Sequence, residues 1–171
     1  MLDLTHLHPM VVHFPVALIL VAFLFDVVSL FTQRELFGKM ALYLIVLGTL
    51  GLIAAFLTGD LAEEGVEKTR ALHQVLETHE EAGEITMWFM IVVVAARLAM
   101  VYFRRSQGVF QWAALAAMII GALLVIRTAY YGGELVYKHG AGVQIAAPTA
   151  TGSSPTASPS LQDDDEDEHN E

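Results

Sequence analysis

Four histidines carry whatever chemistry this chain can do: His8, His13, His79 and His139. Imidazole is a ligand for transition metals and for haem iron, and its free nitrogen can also simply hydrogen-bond. His8 and His13 sit in His6-Leu7-His8-Pro9-Met10-Val11-Val12-His13-Phe14-Pro15, where a long apolar stretch begins. An ionisable residue at the edge of such a stretch is a candidate functional site. His79 precedes another apolar stretch by six residues, and His139 follows a third, beyond a Gly132-Gly133 pair. The four form a candidate metal or cofactor set; Arg127, about a turn inside the outer end of its span, is suited to snorkelling to the surface or pairing with Asp60 or Glu134, and otherwise to binding an anionic group such as a haem propionate. His6 and His73 read as polar anchors, and His73 falls on the water-facing side of its helix.

Two cofactor readings stay open on spacing. A b-type haem needs two axial histidines from facing helices at similar depth. His13 lies about a turn inside its span, whereas His79 lies about 9 Å outside its own. His8 or His139 therefore matches His79 better than His13 does. A copper, iron or zinc ion held by imidazoles with a carboxylate from Asp60, Glu80 or Glu134 needs less room. There is no cysteine, so thiolate sites and covalent haem attachment are excluded. No phosphate loop, GxSxG elbow or HExxH motif is present, so hydrolysis has no support and no catalytic residue is assigned.

The elements that position these residues are apolar. Hydrophobic residues make up 55% of the 171, and charged residues only 16%, against about 25% in a soluble domain. Four segments approach the roughly 20 apolar residues of a membrane helix: 10–31, 40–58, 85–103 and 109–131. The expected fold is all-α, an integral membrane four-helix bundle over residues 1–146. Residues 147–171, rich in Pro, Ser and Thr and then acidic, read as a disordered tail. That tail accounts for much of the net charge of −10. No basic cluster suits nucleic acid. The first apolar stretch is too long for a signal-peptide core and is expected to be retained.

The short loops 32–39 and 104–108 are basic, which puts them in the cytoplasm and both termini outside. His8, His13, His79 and His139 then share the outer side of a bacterial inner membrane. The connection before the third span carries Leu72, Val75, Leu76 and His79 at helical spacing and has no proline, so helix runs into the span. His79 and Arg97 are then five turns apart on one face. Asp26 and Arg97 lie at matching depth and should pair, which would aim His79 at the segment holding His8 and His13. Gly51, Ala55 and Gly59, and Ala113, Ala117 and Gly121, form small-residue stripes suited to close helix packing, the alternative being clearance for a flat cofactor. Gly132 and Gly133 are expected to break the last helix, with Leu135, Val136, Tyr137 and Val143 docking back on the bundle.

His8-Pro9-Met10-Val11-Val12-His13-Phe14-Pro15 resembles the opening signature of a bacterial family of predicted four-helix membrane proteins of unknown function. Gly132-Gly133-Glu134-Leu135-Val136-Tyr137-Lys138-His139-Gly140-Ala141-Gly142-Val143 is similar to its closing signature, and His79-Glu80 with Gly83 to its middle one. Some members are joined to Rieske-type iron–sulfur or cytochrome domains. The resemblance thus implies electron transfer, with cytochrome or Rieske-type proteins as partners. The apolar spans make the lipid bilayer a partner as well, and a homo-oligomer is an expected form. The expected function is a haem- or metal-binding redox subunit. Its rival is a cofactor-free assembly or interaction protein with structural histidines.

Overall fold

The computed structural model describes residues 7–63, 70–105 and 108–140. The expected tail, His6, the Asp60 side chain and Val143 lie outside the described residues. Four helices follow in order: α1 (Leu7–Phe31), α2 (Arg34–Glu63), α3 (Arg70–Tyr102) and α4 (Val109–His139). Each is long and apolar enough to cross a membrane. In lipid every backbone polar group must be satisfied within the protein, and helices satisfy theirs internally.

The helices run up and down around a square. α1 packs closely on α2 and α3 on α4, while the α2–α3 and α1–α4 seams are thinner. α1 and α3 stand diagonally opposite, with no close backbone approach. The core between them holds Ile19, Ala22, Ile45, Met90, Val93, Met118 and Val125. Large apolar side chains such as Leu24, Leu50, Val92 and Leu123 point outward, as a bundle in lipid requires.

The close α1–α2 contact comes from small residues on α2. A β-carbon on Gly48 would stand 2.8 Å from Ile19, and one on Gly51 would stand 3.2 Å from the ring of Pro15. Pro15, which has no N–H to give its own helix, is buried against that gap. On α4 the inward face is Ala114, Met118, Gly121, Ala122 and Val125. Of the expected stripe there, only Gly121 is buried, and Ala113 is exposed.

Two expectations meet different outcomes. α3 is continuous from Arg70 through Gly83 into the span, as its spacing predicts. α4 does not break at Gly132-Gly133. It continues to His139 and ends at Gly140, whose left-handed backbone (φ 65°) turns its N–H back to the carbonyls of Leu135 and Val136. Two helical glycines cost about 2 kcal/mol together relative to alanine, less than the several kcal/mol of leaving backbone groups unsatisfied in an apolar setting. Leu135 is buried, but Tyr137 is 91% exposed, so only part of this segment docks on the bundle.

Candidate functional site

At the end of the bundle where α1 begins, His8 of α1 and His79 of α3 face each other across the diagonal. Their ring centres are 6.3 Å apart and their planes are nearly perpendicular, at 84°. Each imidazole is oriented by a neighbouring helix. His8 Nδ1 lies 2.9 Å from the carbonyl oxygen of Ala55 on α2. His79 Nδ1 lies 3.1 Å from the carbonyl oxygen of Thr128 on α4. A carbonyl can only accept, so in the neutral ring Nδ1 carries the proton and donates. The lone pair is left on Nε2 of both rings. A histidine that ligates a metal is commonly held in this way, with its other nitrogen tied to a backbone carbonyl.

Glycine makes room for both rings. A β-carbon on Gly59 of α2 would stand 3.4 Å from His8 Cε1, and one on Gly132 of α4 would stand 3.0 Å from His79 Cε1. This explains Gly132 better than a turn does. Close by, the Thr86 and Thr128 hydroxyls are 2.9 Å apart, and both reach the Ala82 carbonyl. The polar seam between α3 and α4 thus continues a turn or two below His79.

The other candidates are placed elsewhere. His13 is exposed, and its Nδ1 lies 2.6 Å from the Pro9 carbonyl of its own helix. His139 ends α4, two turns beyond Gly132, which is about 10 Å further along the axis. Arg127 is exposed, with its guanidinium 5.3 Å from the Tyr131 ring centre. Glu134 accepts a bond from Lys138 at 2.8 Å. His73 is exposed and 3.4 Å from Glu77, on the watery side as its spacing predicts. Among the described residues, no three histidine or acidic side chains converge as a metal-ion cage.

At the opposite end, Arg97 of α3 donates to Asp26 of α1 at 2.5 Å, so the expected pair forms. It too spans the diagonal. Asp26 is buried, and its second carboxylate oxygen has no hydrogen-bond partner.

The sequence reading missed the residues that orient the imidazoles. Ala55 and Thr128 act through their carbonyls, and backbone acceptors leave no mark on residue type. Gly59 did carry a signal, as the last member of the α2 small-residue stripe. Gly132 carried one in the closing signature, where it reads as a helix breaker.

These features sit in a chain that belongs to the family described as predicted membrane protein (DUF2231), which it matches over residues 5–145. No curated protein and no solved structure matches it.

Proposed function

We propose that this member of the family is a haem-binding electron-transfer subunit of a bacterial inner membrane, with His8 and His79 as the two axial ligands of a b-type haem. The observation that carries the reading is the paired geometry. Two imidazoles on different helices each have Nδ1 committed to a carbonyl, which leaves two Nε2 lone pairs. Metal–imidazole bonds are about 2.0 Å long, and ring centres 6.3 Å apart leave room for one ion between the two imidazoles. A haem needs only two protein ligands, which suits a pair on which no third histidine or acid converges among the described residues. A bare copper, iron or zinc ion would need its remaining ligands from water.

The residues of the site do the holding. The carbonyls of Ala55 and Thr128 fix ring tautomer and orientation, and Gly59 and Gly132 let the rings lie against backbone. The thinner seams between the α1–α2 and α3–α4 hairpins are where a flat group would enter. When bound, a haem supplies one-electron exchange between ferric and ferrous iron. His13 and His139 stand outside this two-ligand site. Arg127, the neighbour of Thr128 in sequence, is the cation proposed for a propionate.

Lys39, Arg104 and Arg105 lie at the end away from the histidines, which by the positive-inside rule is cytoplasmic. The haem would then face the outer side, where cytochrome or Rieske-type proteins are the partners proposed. The reading is tested on protein purified without chelator from haem-supplied cells, by visible spectrum and metal analysis. A Soret band with a low-spin bis-imidazole signature, lost in His8→Ala and in His79→Ala, is expected. No Soret band and no stoichiometric metal would leave a cofactor-free assembly protein, with the two histidines as ties between helices.

A further inference from the structure

His8 and Asp26 are eighteen residues apart on α1, and His79 and Arg97 are eighteen apart on α3. Eighteen residues make five whole turns, about 27 Å of helix. The two helices therefore carry matched stripes, each with a histidine at one end and a charge at the other. The stripes meet at both ends, through the His8–His79 ring contact and the Arg97–Asp26 hydrogen bond. Between those ends α1 and α3 have no close backbone approach. The level between is filled by apolar side chains such as Ile19 and Met90, which pack without directional preference. Thr49 and Thr86 are buried polar groups of the interior, but neither bridges α1 to α3. Thr49 Oγ1 has no partner, and Thr86 bonds to Ala82 and Thr128.

Because eighteen residues are a whole number of turns, rotating either helix about its axis carries its histidine and its charge round together. We propose that Asp26 and Arg97 are positioning residues for the His8–His79 site: their ion pair sets the rotation of α1 against α3 and holds the two imidazoles opposite each other from the far end of the bundle. The ion pair is single-pronged, on one carboxylate oxygen, with Asp26 buried and Arg97 mostly so. Only the facing orientation satisfies both charges, so the pair rejects other azimuths rather than merely adding attraction. This inference rests on the haem reading for its functional meaning, but the geometric claim stands without it.

The test uses the full chain, which has no cysteine, with Met10→Cys and Glu81→Cys carrying spin labels on the exposed surfaces of α1 and α3. Label distances are measured in haem-free protein, and the coordination state of iron in haem-loaded protein. Asp26→Asn and Arg97→Gln should at least double the width of the distance distribution. They should also convert half or more of the bound haem from six- to five-coordinate. Asp26→Glu keeps both charges and adds one methylene, so it should shift the mean distance and yet stay folded. Ile45→Ala, which opens a cavity in the core, should lower thermal stability and leave both readouts unchanged. A wild-type distribution in Asp26→Asn together with an unmoved mean in Asp26→Glu overturns the proposal. So does Ile45→Ala broadening the distances as much as the charge variants. If no variant and no wild-type protein takes up haem, the proposed function falls, and the label distances still decide the pin.

Discussion

Gly132 and Gly133 are adjacent and chemically identical, but they are not equivalent. A β-carbon on Gly133 meets nothing within 4 Å, whereas one on Gly132 stands 3.0 Å from a ring carbon of His79. That ring is tethered through Nδ1 to Thr128, so it cannot swing away without breaking the tether. Alanine is worth up to about 1 kcal/mol over glycine inside a helix. Gly133→Ala should therefore raise the melting temperature in detergent, and Gly132→Ala should lower it by forcing an overpacked contact that costs about 1–3 kcal/mol. Circular dichroism melts of the two variants check the sign of each. Thr49 offers a second test at this scale. Its buried hydroxyl has no partner, so Thr49→Val removes an unsatisfied group without opening a cavity. It should be neutral or stabilising by about 1 kcal/mol, measured in the same melts.

At the scale of helices, the charged residues in apolar stretches were the most legible feature of the sequence. Asp26 and Arg97 each cost about 2.5–3.5 kcal/mol alone at mid-membrane, so a shared depth was enough to predict their pairing. Removing one partner leaves a buried charge, at about 3–5 kcal/mol. In a double-mutant cycle, Asp26→Asn and Arg97→Gln should each destabilise strongly, and the double variant should lose less than their sum. Additive losses would mean that the residues do not meet. Helix ends were less legible. Propensity marks Gly132-Gly133 as a break, but packing against His79 and the need to satisfy backbone groups carry α4 on to Gly140. The azimuth of His13 was likewise hidden. It lies five residues from His8, about 140° round the helix, and it turns outward to bond the Pro9 carbonyl.

At the scale of the molecule, the count and order of the helices could be read from apolar length alone, because the bilayer sets that length. Which helices stand diagonally could not. A repeating apolar pattern says that a face is buried and leaves the partner unnamed. Helix packing in the structure puts α1 and α3 on the diagonal, and two polar contacts cross it. The sidedness of the bundle is open to direct measurement. Basic residues at the α1–α2 and α3–α4 connections predict that Gln107→Cys is protected from an impermeant thiol reagent in intact cells. Tyr137→Cys, at a position 91% exposed near the end of α4, should react. Labelling of Gln107→Cys from outside would invert the orientation.

The hairpin pairing also sets an order of assembly. The acceptor for His8 lies on α2 and the acceptor for His79 lies on α4. Each imidazole is therefore fixed by the second helix of its own hairpin. The first hairpin, α1–α2, has everything it needs to orient His8 before α3 is synthesised. His79, by contrast, waits for α4, which is synthesised after it. Asp26 and Arg97 are 71 residues apart in the chain, and His8 and His79 are separated by the same interval. Both contacts are therefore late, and they form together when two finished hairpins close on each other in the membrane. Until that docking there are two half-sites and no whole one, so anything the histidines bind as a pair is loaded after the hairpins close.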